Sequence, residues 1–194
     1  MKKILRIGGM IFLVAALLAP SGLLASEITP LVNRAESQFA SGDVVGAADA
    51  LRQALVAVYN KSKLKVDKAV LVKVKPAGFG MIQRKGSNKF KSGETIILYV
   101  EPVGYHFIKN GKAYGFGISA DFSVTDVQGK ILGGKKGFGS WEMTTQGRPL
   151  FDFYMTLTYN FTGIKPGKYY LLTTLIDKHG GGNVTIKTPF EIVP

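Results

Sequence analysis

Two histidines, His106 and His179, and a handful of carboxylates are the residues with the most obvious chemical potential in this 194-residue chain, which contains no cysteine. His179 opens the string His-Gly-Gly-Gly (179–182), found in loops that donate backbone N–H groups to an oxyanion. Such a loop serves a nucleophile, and no Gly-x-Ser-x-Gly elbow occurs. The flanking runs "YYLLTTLID" and "VTIKTPFEIV" instead predict two strands joined at 178–182, where glycines supply a turn. Zinc or copper would need both histidines plus carboxylates, and 73 positions separate them, so both are expected as incidental surface residues. No Asp-x-[Asp/Asn]-x-[Asp/Asn]-Gly string supports calcium.

Asp121, Asp152 and Glu101 fall on polar strand faces and are expected to be scattered and solvated, with no acid–base pair among them. "GFG" occurs at 78–80, 115–117 and 137–139; the middle copy mimics a dinucleotide fingerprint but sits inside an alternating run, so the glycines are expected to mark bulges or bends. Phe79, Tyr105, Tyr114, Phe138 and Trp141 are either core residues or an exposed aromatic patch. No catalytic, cofactor or metal residue is assigned, and the expectation is a non-enzyme without cofactors.

Charge is the next signal. Formal net charge is +12, and residues 61–95 carry ten Lys or Arg against Asp67 and Glu94. In "KSKLKVDKAVLVKVKP" (61–76), Leu64, Val66, Val70, Val72 and Val74 share one parity, while Lys61, Lys63, Lys65, Asp67, Lys73 and Lys75 share the other. A period-2 strand would bury the first set. Lys61, Lys63, Lys65, Lys73, Lys75, Arg84, Lys85, Lys89 and Lys91 then form a solvated face that protects an edge, or a face for an anionic polymer or lipopolysaccharide. No aromatic residue interleaves the lysines at 61–75, so nucleic acid is not expected.

The elements that position these residues divide the chain in three. Lys2, Lys3 and Arg6, the apolar run 10–19 and the small-residue stretch to Ala25 predict an export signal over 1–25 with cleavage before Ser26. The run is shorter than the ~20 apolar residues a membrane span needs, and no later span is expected. Periplasm or exterior of a bacterium is the expected location, and without cysteine the mature part must fold on its core alone.

Residues 26–60 predict a helix hairpin: Leu31, Val32, Ala35 and Phe39, a break at Gly42-Asp43, then Val44, Ala47, Ala48, Leu51, Ala54, Leu55 and Val58 at helical spacing. Phe39, Gly42, Ala47, Leu51 and Ala54 resemble one tetratricopeptide unit, with no second copy. A single hairpin must dock on the rest of the chain, self-associate or face another protein. Phe39, Leu51 and Leu55 are the candidates for a protein contact.

Residues 61–194 predict antiparallel β-structure. Phe116, Ile118, Ala120, Phe122 and Val124 alternate with polar or small residues, as do Phe151, Phe153, Met155, Leu157, Tyr159 and Phe161. Further strands are expected at 68–75, 81–85, 94–103, 105–109, 130–133, 138–144, 168–177 and 184–193. Turns are expected at Asn110-Gly111, at Pro166-Gly167 as a type II turn, and at Asp126 to Gly129. The segments 89–105, 120–132 and 163–193 resemble bacterial immunoglobulin-like domains and a group of secreted bacterial proteins. That resemblance implies a β-sandwich and no activity. Together the expectation is an exported accessory protein that engages an envelope protein through hairpin and sandwich, with polyanion or carbohydrate binding as the alternative.

Overall fold

The structure, a computed structural model, describes residues 27–194; the export signal expected at 1–25 lies outside the described residues. Helix α1 spans Ile28–Ala40 and α2 spans Val44–Lys61. Gly42, at φ 83°, reverses the chain after α1, and the Asp43 carboxylate caps α2 by accepting the Gly46 N–H at 2.9 Å. Ala35, Ala47, Ala50 and Ala54 are the buried residues of the pair. Small side chains at these positions let the helices approach closely, as the hairpin reading requires.

Nine strands follow: β1 Lys65–Leu71, β2 Lys89–Lys91, β3 Ile96–Val103, β4 Ile108–Asn110, β5 Ala113–Asp126, β6 Ile131–Gln146, β7 Met155–Tyr159, β8 Gly167–Asp177 and β9 Asn183–Val193. They form a three-stranded sheet ordered β1-β3-β7 and a six-stranded sheet ordered β2-β9-β8-β5-β4, with β6 on the remaining edge of β5. All pairings are antiparallel except β2 with β9, which is parallel. The core joins Leu98, Val100, Met155, Leu157 and Tyr159 of the small sheet to Phe116, Ile118, Leu171, Leu175 and Phe190 of the large one. The chain is thus mainly β, two sheets sharing one core, with two helices.

The alternation read in β5 and around β7 gives the observed inner faces. Only Met155–Tyr159 of the second run is strand, although Phe151, Phe153 and Phe161 still pack against the core. Four expectations change. First, a bulge between Val66 and Lys68 switches parity in β1, so Val66, Ala69 and Leu71 pack inward while Val74 is exposed. Second, the segments 130–133 and 138–144 fuse into one strand, because Lys136 to Phe138 are accommodated as extra residues opposite Asp121, whose carboxylate accepts the Gly137 N–H at 2.7 Å. That "GFG" marks a bulge as expected, whereas Gly115 and Gly117 sit in regular pairing.

Third, segment 81–85 is no strand; it touches the small sheet through a single bridge, Val72 with Arg84. The 105–109 strand shrinks to Ile108–Asn110, and Tyr105 and Phe107 turn into the core instead. Fourth, Asn110 pairs with Ala113, so the β4–β5 turn is Gly111-Lys112, with Gly111 at φ 58° as the first central position of a type II′ hairpin turn demands. Gly167 has φ 156° and opens β8, which is not the geometry of the second turn residue in type II. The turns at Asp126–Gly129 and 178–182 are where the sequence puts them.

Candidate functional site

The helix hairpin meets the sheets at one end only. Val56 and Tyr59 pack against the core, Tyr59 edge-on to Tyr105 and Phe151. Asn60 fastens the last turn of α2: its Nδ2 donates to the Phe107 carbonyl at 3.1 Å, and its Oδ1 accepts the Phe107 N–H at 2.7 Å. The linker continues the seam, with the Leu64 N–H donating to the Gly181 carbonyl at 2.7 Å. Replacing Asn60 by Ala removes both bonds and strands part-buried backbone groups, so a loss of about 2 kcal/mol is expected in urea unfolding, with faster amide exchange concentrated in α1 and α2.

Both histidines belong to this seam. His106 Nε2 lies 3.0 Å from the Ser62 carbonyl and Nδ1 lies 3.3 Å from that of His179. Asp177, itself buried, accepts the N–H groups of His106 and His179, each at 2.7 Å. His106 is therefore a half-buried structural residue and not an incidental surface one, whereas His179, also half-buried, contributes only backbone groups to the seam. Among the described residues no group of three or more His, Asp or Glu is placed to hold a metal ion.

Beyond the seam the hairpin projects with an apolar stripe uncovered. Val44, Leu51, Leu55 and Val58 fall on one face of α2 at helical spacing and are all exposed, Leu51 at 52%. Phe39 at the end of α1 is 69% exposed, and Val45 is also open. Phe39, Leu51 and Leu55 therefore lie on the free part of the hairpin.

The nine basic residues do not share one surface. Lys61, Lys63 and Lys65 lie at the hairpin end of β1, whereas Lys73, Lys75, Arg84 and Lys85 follow its far end, on the order of 20 Å along the strand. Lys89 and Lys91 flank the buried Phe90 on β2. Lys61 pairs with Glu27 at 3.2 Å and Lys85 with Glu94 at 2.8 Å. The aromatic residues do not converge either: Tyr105 and Tyr114 are buried, Phe138 stacks on Tyr159, and Phe79 is exposed on a separate loop.

Glu101 departs furthest from expectation. It is 4% exposed, accepts the Tyr99 hydroxyl at 2.6 Å and pairs with Lys68 at 3.1 Å. The loop after β1 covers this outer face of the small sheet, Gly80 donating its N–H to the Tyr99 hydroxyl at 2.8 Å. Desolvation, reinforced by the Glu101 contact, pushes the Tyr99 hydroxyl up to about 12.

A cleft of about 550 Å³, not anticipated from sequence, opens at the end of the sheets away from the hairpin. Phe122, Leu132, Phe161, Ile164 and Tyr169 line it, with Lys165 among the lining residues. Phe122 and Phe161 read as ordinary inward positions; the available signal was Leu132, an apolar lining residue close to the β5–β6 turn and exposed in the structure.

The architecture defines a class first, a mainly β chain of two sheets carrying a helix hairpin, and its neighbours among known proteins are remote. No known protein-family model matches the chain, and no curated protein matches it. Among solved structures, the alkylpurine DNA glycosylase AlkC of Pseudomonas fluorescens, bound to DNA containing an abasic site analog, is similar over 90% of this chain and 44% of its own, at 8% identity and TM-score 0.37. The chain thus spans less than half that protein's length. A superoxide reductase (neelaredoxin) from Ignicoccus hospitalis is similar over 75% of this chain and 87% of its own, at 12% identity and TM-score 0.33. A CARDB domain from Pyrococcus furiosus, in complex with di-metal ions, covers 70% of this chain and 96% of its own, at 10% identity and TM-score 0.29. Likenesses this distant transfer no activity.

Proposed function

We propose that this chain is an exported, non-enzymatic binding protein, immunoglobulin-like in its β part, that engages another envelope protein through the helix hairpin. The observation that carries the reading is the open stripe of Val44, Leu51, Leu55 and Val58, with Phe39 beside the hairpin turn. A helix pair normally buries such a face, and leaving it in water costs roughly 1.5–3 kcal/mol per large side chain relative to burial. Residues 26–60 carry four acidic and two basic side chains in a chain that is otherwise strongly basic. The complementary partner surface is therefore an apolar groove with a basic rim.

The test uses the chain from Ser26 to Pro194, with a photo-crosslinker at Leu51, in envelope extract of its host. The protein crosslinked there is identified, purified and titrated against the chain and against a Leu51→Asp/Leu55→Asp variant. The expected result is a rise in Kd of at least tenfold in the variant, as for apolar hot spots. Equal affinity of both forms, or a stripe occupied by a second copy of the same chain in sedimentation, overturns the reading.

A further inference from the structure

Away from the hairpin, the segment between β1 and β2 combines two properties that water alone does not favour together. Residues 72–88 contain Lys73, Lys75, Arg84 and Lys85 and no acidic residue. Within the same loop Val74, Phe79 and Met81 are exposed, Met81 at 66%. The loop is nevertheless ordered. Lys73 N–H donates to the Gln83 carbonyl at 2.9 Å, Lys85 N–H to the Leu71 carbonyl at 2.9 Å, and Gly80 N–H to Tyr99. These bonds hold the backbone of the loop, Gly80 included, on the small sheet and leave the side chains of Val74, Phe79 and Met81 exposed.

Lys73, Lys75 and Arg84 take part in no ion pair among the described residues. Exposed apolar side chains, flanked by unpaired cations on long flexible stems, match the layering of an anionic bilayer surface: acyl boundary beneath, headgroup charge around it. A soluble polyanion would use the cations and leave Phe79 and Met81 in water. No helix among the described residues is long and apolar enough to cross a membrane, so contact of this kind would be peripheral.

We infer that the loop 73–84 is a peripheral membrane contact that seats Phe79 and Met81 in an anionic lipid surface while Lys73, Lys75 and Arg84 hold the headgroups. This goes beyond the hairpin reading and stands independently of it.

The test is co-sedimentation of the chain from Ser26 to Pro194, which contains every described residue, with vesicles of phosphatidylcholine alone or with added phosphatidylglycerol. Binding is expected only to the anionic vesicles. Each surface cation contributes about fivefold to partitioning, so Lys73→Gln/Lys75→Gln/Arg84→Gln should weaken it on the order of a hundredfold. Phe79→Ser/Met81→Ser should weaken it by about the same factor at low and high salt, because the apolar contribution is not screened, whereas the loss in the cation variant should shrink as salt rises. The absence of cysteine allows Phe79→Cys to be labelled at one site with an environment-sensitive fluorophore, whose emission should shift to the blue on anionic vesicles. All substitutions are on exposed side chains, and melting curves confirm folding. No binding to anionic vesicles, or binding indifferent to Phe79 and Met81 with no emission shift, overturns the inference; the latter result identifies plain polyanion adsorption.

Discussion

Raising the pH from 10 through 12 is expected to unfold the protein, and its buried tyrosines are the reason. Tyr99 is pushed up from 10 to about 12, chiefly by burial and then by its hydrogen bond to Glu101. Burial also raises Tyr105, whose hydroxyl donates to the Leu150 carbonyl at 2.7 Å. Tyr159 is raised the same way, its shift offset in part by Thr173 at 2.7 Å. A raised tyrosine keeps its proton in the folded state at a pH where the unfolded chain has lost it. The native state then binds more protons, and stability falls with increasing pH.

These contributions are complete below pH 10, the ordinary tyrosine value, and for Tyr99 they drain away as pH rises through about 12. Tyr99 alone accounts for on the order of 2 kcal/mol, and the other two extend the loss. Urea unfolding at a series of pH values, read beside tyrosinate absorbance, checks this. Tyr99, Tyr105 and Tyr159 should ionise together with unfolding. Ionisation of all eight tyrosines near pH 10 in a chain that still melts cooperatively would contradict it.

Replacing Glu101 by Ala should cost about 3 kcal/mol. The carboxylate is the acceptor for the Tyr99 hydroxyl and the counter-charge for Lys68, on a face sealed by the loop tip. Removing one member of a buried charged network strands the rest in low dielectric, which is the costly way to break it. Lys68 is the least affected, being about a third exposed and able to turn to water. Glu101→Gln keeps the shape and an acceptor, so its loss should be less than half as large. Thermal melts of the two variants separate shape from charge, and equal, small shifts would show that the network carries little.

Period-2 patterning sufficed for the inner faces of β5 and β7, because both faces of those runs differ in chemistry and register cannot slip without exposing phenylalanines. It failed where the chain departs from period 2. Nothing in "KVDKAV" announces a bulge after Val66, since valines and alanines occur on both parities around it. Glu101 looked solvated because strand parity distinguishes inside from outside but not an outside that a later loop returns to cover. His106 was likewise unreadable, its three contacts coming from residues 44 to 73 positions away. Helical spacing marked the α2 stripe well, whereas its lack of a cover depended on how little of the hairpin touches the sheets. The cleft depends on where the 160–165 segment passes Leu132, a long-range placement that no local pattern encodes.

The parallel pairing of β2 with β9 sets the order in which this chain can become native. Lys89 to Lys91 lie beside Glu191 to Val193, about a hundred residues later. Phe90, at 1% exposure, and its neighbours Phe190 and Ile192 therefore have no completed surroundings until β9 is present. Closing so long a loop makes the contact entropically late. A growing chain can form the hairpin and the β5–β6 ribbon early, but the β2 edge stays pliable until β9 arrives, and removing Glu191 to Val193 keeps it so.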